Sequence, residues 1–206
     1  MRIMNTLCAA ALAVIASWST AEATTLSGNL TADNLFDAYI STDDNVLGTL
    51  ITSGNSWPTT VSFSGQALTA GVTNYLHIVA TDQGKPDMFI GSFSLSDSLF
   101  HFANTTQNLL TNATDWRSDV GGGAWFAPTG TPVDIGANGI GPWGNFPLMS
   151  GARFIWAATD PTQSFFSTTI TPVVAATPIP GALPLFAAAL GGLGLLARRK
   201  HRASSV

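Results

Sequence analysis

Between residues 24 and 177, no stretch longer than about ten residues carries the 3.6-residue period of an amphipathic helix. Short runs of β-branched and aromatic residues recur there instead, separated by clusters of Gly, Pro, Asn, Asp and Ser. That spacing leaves a chain one economical way to bury its apolar side chains, as antiparallel strands joined by tight turns and stacked in two sheets. The expected class is all-β, an antiparallel β-sandwich.

Residues 35–41 read as the first clear strand, with Phe36, Ala38 and Ile40 on one face and Leu35, Asp37 and Tyr39 on the other. Asp43-Asp44-Asn45 turns the chain, and 46–52 returns as its hairpin partner. A third strand is expected at 59–63, after Pro58. Residues 74–81 alternate Tyr75, His77 and Val79 against Leu76, Ile78 and Ala80, so both faces are covered and the strand is central. After the turn Gly84-Lys85-Pro86-Asp87, residues 88–95 run back with Phe89, Phe93 and Leu95 on one side, and the two strands are expected to pair. Farther on, the pattern predicts a short helix at 104–110, a strand at 115–120, a mobile Gly/Pro/Trp-rich passage through Gly144, and closing strands at 153–157 and 164–170.

Both ends of the chain read as export signals. Arg2 precedes an apolar run from Leu7 to Trp18, and Ala21-Glu22-Ala23 offers a signal peptidase its small-x-small site, with cleavage before Thr24. The only cysteine, Cys8, lies within that run, so the mature chain has no thiol for a disulfide, a metal or a nucleophile. Near the other end an uncharged run, 181–197, is followed by Arg198, Arg199, Lys200 and Arg202. As a helix it rises about 25 Å, against a hydrocarbon core of roughly 30 Å. Ile179 and Pro180 nearly close that gap, and the basic residues keep the tail, 198–206, cytoplasmic. The organisation is therefore a signal peptide at 1–23, a sandwich outside the cytoplasm at 24–171, a linker with a Pro-x-Pro motif at 172–180, a transmembrane helix and a basic tail. Anchorage in the inner membrane, followed by sorting to the cell surface or secretion, is the expected localisation.

Pro178-Ile179-Pro180, the short apolar run and the Arg-rich end together resemble the PEP-CTERM sorting signal of Gram-negative bacteria. Isoleucine stands here where the named motif has Glu, and the form Pro-Ile-Pro-Gly-Ala-Leu-Pro-Leu-Phe is similar to a common variant. The resemblance implies that an exosortase-like processing enzyme cleaves near Pro178 and Pro180, that Arg198, Arg199 and Lys200 belong to the signal, and that the helix is a temporary anchor. The sandwich region in turn resembles the galactose-binding-like jelly roll. The residues carrying this likeness are Asp33-Asn34 before Phe36-Asp37-Ala38-Tyr39-Ile40, then Gly54-Asn55-Ser56-Trp57 and Gly71-Val72-Thr73-Asn74. It continues in Trp116-Arg117, Pro142-Trp143-Gly144, Arg153-Phe154-Ile155-Trp156 and Phe165-Phe166. A longer loop, 41–45, replaces that family's Asn-Gly hairpin, and no binding residue carries over.

Residues 24–177 hold three basic residues (Lys85, Arg117, Arg153) against eleven aspartates and no Glu, a balance of −8. Such a surface repels nucleic acid and anionic headgroups. Aspartates and loop carbonyls are ligands that Ca²⁺ prefers, but Asp is equally a turn former; the turn reading suffices, so no cofactor is expected and any metal ligands are unknown. His77 and His101 lack metal-ligand spacing and read as structural. No nucleophile elbow or phosphate loop is present, and no spacing selects a pair of aspartates, so no catalytic residue is assigned. Trp57, Trp116, Trp125 and Trp143 fall in loops or at strand ends, where a ring can stack on a sugar. Trp57 and Trp116, like Trp156, stand at positions that the jelly-roll resemblance implies are plugs of the sandwich, and that reading is preferred for them. The expected function is non-covalent binding of extracellular polysaccharide, with a self-associating structural matrix protein as the alternative.

Overall fold

In the computed structural model, residues 23–173 are described. The expected signal peptide with Ala21, the sorting motif at Pro178 and Pro180, the 181–197 helix and the basic tail lie outside these residues. Among the described residues no helix is long and apolar enough to cross a membrane.

Twelve strands among the described residues make two antiparallel sheets. Sheet A contains β1 (Thr25–Asp33), β4 (Val61–Ala67), β6 (Met88–Leu95), β8 (Asn108–Leu110), β10 (Val133–Ala137) and β11 (Arg153–Trp156). Its order is β10-β11-β6-β1-β4, with β8 also on β6. Sheet B contains β2 (Leu35–Ser41), β3 (Thr49–Gly54), β5 (Asn74–Thr81), β7 (Phe100–Phe102), β9 (Arg117–Val120) and β12 (Gln163–Pro172). Its order is β3-β2-β5-β12-β7, with β9 also on β12. The all-β sandwich expected from the alternating pattern is the observed architecture.

The core lies between the sheets because alternate residues of each strand face inward. Leu26, Leu30 and Ala32 of β1 meet Phe36 and Ala38 of β2, Leu76, Ile78 and Ala80 of β5, Phe89 and Phe93 of β6, and Phe166 of β12. Trp116 closes this core, edge-on to Phe89 at 5.4 Å between centroids. Gly28 makes room for the Phe93 ring that packs on Trp116: a Cβ there would lie 2.6 Å from it.

Three expectations are corrected. The β5 and β6 strands do not pair; β5 lies between β2 and β12, while β6 pairs with β1, β8 and β11 in the opposite sheet. The turn between them therefore crosses the sandwich instead of closing a hairpin. Residues 104–110 form no helix, since the chain turns after β7 and enters β8, with Asn104 accepting from Thr106 N–H and donating to the Asn108 carbonyl. The Gly/Pro/Trp-rich passage is not a free loop in its second half. Trp143, Phe146, Met149 and Ala152 pack on Met88, Ile90 and Phe154 of sheet A's outer face as a second apolar cluster. Asn138 stitches this segment together through the Phe146 and Met149 carbonyls and the Phe146 N–H, each at 2.9 Å.

Candidate functional site

The chain's own cluster thus covers the outer face of sheet A at β6 and β11, and the largest side-chain polar network lies on the outer face of sheet B. On β5 the residues alternating with Leu76, Ile78 and Ala80 are Tyr75, His77 and Val79, and they point outward. The register places Tyr39, His77, Ser167 and Arg117 in one row across β2, β5, β12 and β9. The next row is Asp37, Val79, Phe165 and Asp119.

The loop between β2 and β3 folds onto the first row through Asp44. Its carboxylate accepts from Ser167 Oγ at 2.6 Å and Arg117 Nη2 at 2.6 Å, and lies 3.1 Å from His77 Nε2. Burial pushes the Asp44 carboxyl up, but the Ser167 hydroxyl, the Arg117 guanidinium and His77 outweigh it and hold the group below the usual carboxylate range. His77 is fully buried, and its Nδ1 lies 3.1 Å from the Leu47 carbonyl. Both of its partners accept hydrogen bonds, so a neutral ring satisfies only one of them. Burial nonetheless draws its pKa below the ordinary value, more than the Leu47 carbonyl and Asp44 raise it. Arg117, which already supplies the positive charge facing Asp44, acts in the same direction as burial. Ser167 donates to Asp44 and not to His77, so these three side chains form no nucleophile–base relay.

Trp125, from the loop after the three glycines, seals this network. Its indole N–H donates to the Asp44 carbonyl at 2.9 Å, and its ring lies 4.3 Å from that of His77 and 4.9 Å from that of Phe165. Phe126 adds an edge-on contact to Phe165 at 5.5 Å and is 46% exposed. One strand over from Phe165 lies a groove of about 390 Å³ lined by Leu35, Asp37, Ser53, Asn55, Val79 and Thr81. The Tyr39 phenol stands beside it, its pKa raised by burial first and by Asp37 second. A second recess, about 360 Å³, lies where Ser41, Thr42 and Thr49 meet Gln66, Thr69 and Asn74, and no charged side chain lines it.

Of the four tryptophans read as ligand contacts, the fold brings only Trp125 to this face. Trp116 is 2% exposed within the main core, its indole N–H spent on the Leu110 carbonyl. Trp143 is 6% exposed, lies against Phe154 and donates to Asp33 Oδ2 at 2.8 Å. Trp57 is half-buried against the second cluster on sheet A. Trp116 and Trp143 therefore present no free ring face, a correction that follows from their burial. The residues that sequence reasoning missed, Asp37 and Asp44 above all, carried one usable signal: both sit on or beside the strand whose alternation was legible.

A separate acidic group lies where β1, β5, β6 and the loop before β12 end. Asp87 is pushed up to about 7, by burial first and then by sharing a hydrogen bond with Asp160, while Lys85 bridges both carboxylates. Asp33 is also raised, again chiefly by burial. Among the described residues, no three His, Cys, Asp or Glu side chains are placed to hold a metal ion. No family model matches this chain, and no curated protein or solved structure matches it either.

Proposed function

We propose that this is an exported surface or extracellular-matrix protein, delivered by a PEP-CTERM-like signal, whose sandwich is a galactose-binding-like jelly roll binding polysaccharide without catalysing a reaction. The observation that carries the binding reading is the juxtaposition on sheet B: the partly exposed ring of Trp125 and the exposed ring of Phe126, both packed on the buried Phe165, beside a groove edged by Asp37, Ser53, Asn55 and Thr81. Saccharide sites combine these two elements, a flat ring for the C–H face of the sugar and side-chain oxygens and amides for its hydroxyls. The test is a glycan array probed with the purified full chain, with and without Ca²⁺. Specific binding that weakens at least tenfold in Trp125→Ala, with folding intact by near-ultraviolet circular dichroism, is the expected result. A folded protein that binds nothing on the array but assembles with rising concentration would replace this reading with a structural, self-associating role.

A further inference from the structure

Resting on the reading of the sheet B groove as a saccharide site, we infer that its ligand is a polysaccharide bearing free amino groups, with Asp37 as the residue that receives the ammonium. The first ground is charge. Three cationic side chains occur among the described residues, and each is already ion-paired: Lys85 with Asp87 and Asp160, Arg117 with Asp44, and Arg153 with Asp134. A uronate, sulfate or phosphate on a glycan would thus meet no free cation, only an excess of eight negative charges.

The second ground is placement. Asp37 stands in the groove wall, half-buried, with no cationic partner among the described residues; its neighbour is the Tyr39 phenol. The apolar side chains of Val79 and Leu35 lie alongside it, while Ser53, Asn55 and Thr81 edge the same space. A hexosamine presents a matching pattern: an apolar C–H face, hydroxyls around its rim and one ammonium. An ammonium against a half-buried carboxylate gains more than either group gains in bulk water, since the local dielectric is lower. At about 390 Å³ the groove falls at the small end of ligand sites, enough for a short segment of an extended chain.

The test titrates the purified full chain with three tetramers by calorimetry: glucosamine with its amines protonated, N-acetylglucosamine, and galacturonate. Asp37→Asn and Asp43→Asn are measured in parallel. Asp43 is exposed in the β2–β3 loop, where an Asn side chain keeps the oxygen that accepts from Asn45 N–H, so this variant controls for loss of charge alone. Expected are preferential binding of the glucosamine tetramer, at least a tenfold loss in Asp37→Asn, no comparable loss in Asp43→Asn, and weakening by salt. Equal losses in the two variants would mark nonspecific attraction of a polycation and overturn the inference. Binding of the acetylated or acidic tetramer at least as tight as that of glucosamine would overturn it while leaving polysaccharide binding standing. Failure of all three, together with an empty glycan array, would remove both.

Discussion

Asp87→Asn should reverse part of this protein's pH dependence of stability. The Asp87 side chain is 1% exposed, accepts from Lys85 Nζ on Oδ2 at 2.9 Å, and meets no donor at Oδ1, so the proton it shares with Asp160 is its own. Its carboxyl titrates near 3.9 in an unfolded chain and at about 7 in the fold. The folded state thus holds the proton more tightly, and the stability this confers is complete below pH about 4 and lost as pH rises through about 7. Three powers of ten in proton affinity correspond to about 4 kcal/mol. Asp160 shifts the other way, its pKa lowered by its hydrogen bond with Asp87 and by Lys85, but it is largely exposed and its share is screened. A net effect of about 2–4 kcal/mol is therefore expected from the pair. His77, with its lowered pKa, contributes the opposite slope, losing stability as pH falls below about 6.5, so the variant must be compared with the parent at each pH. In Asp87→Asn the amide can accept from Lys85 and donate to Asp160, and the buried position no longer titrates. Urea denaturation at pH 4, 5, 6, 7 and 8 should show the variant gaining about 2–4 kcal/mol on the parent between the ends of the series. A difference constant to within about 0.5 kcal/mol across that range would refute the buried, proton-sharing carboxyl.

Asp44→Ala removes the acceptor shared by Ser167, Arg117 and His77 and should destabilise the fold by about 2–4 kcal/mol, the half-exposed Arg117 contributing least. For a domain of this size that is a fall in Tm of about 5–12 °C, accompanied by a change in Trp125 fluorescence; an unchanged Tm would show that the loop is held by other contacts. Trp116→Ala empties a buried site between Phe89 and Phe93 and should cost about 3–5 kcal/mol, whereas Trp125→Ala should cost less and act mainly on binding; reversed costs would place the core elsewhere. Asp33→Ala leaves the buried Trp143 indole N–H without its acceptor and should cost about 1–3 kcal/mol, with faster amide exchange across residues 138–149 as the local readout.

The β5 and β6 strands were legible to the residue because alternation is a local property and turn residues bound both. What they pair with was not. Each buries one face in the same core, and that pattern looks the same whether the two are neighbours in one sheet or face each other across two. The β1 strand was missed because Thr25–Asp33 contains Ser, Gly, Asn and Thr, which read as turn residues; it is a strand because β4 and β6 flank it on both sides. The cluster around Asp44 joins residues 33, 73 and 123 positions away in sequence, at separations no local pattern reports.

By itself, then, the sequence determined the class of fold, the faces of its best strands, and a negative charge that disfavours anionic partners, because period, turn chemistry and net charge are summed over short segments. Only the tertiary structure decided which tryptophan reaches the outer face of sheet B and which are buried, that Asp44 gathers His77, Arg117 and Ser167, and that no cationic side chain lines the groove holding Asp37. Those outcomes depend on which distant strands become neighbours, and that is settled by packing two sheets around one core rather than by the preference of any segment.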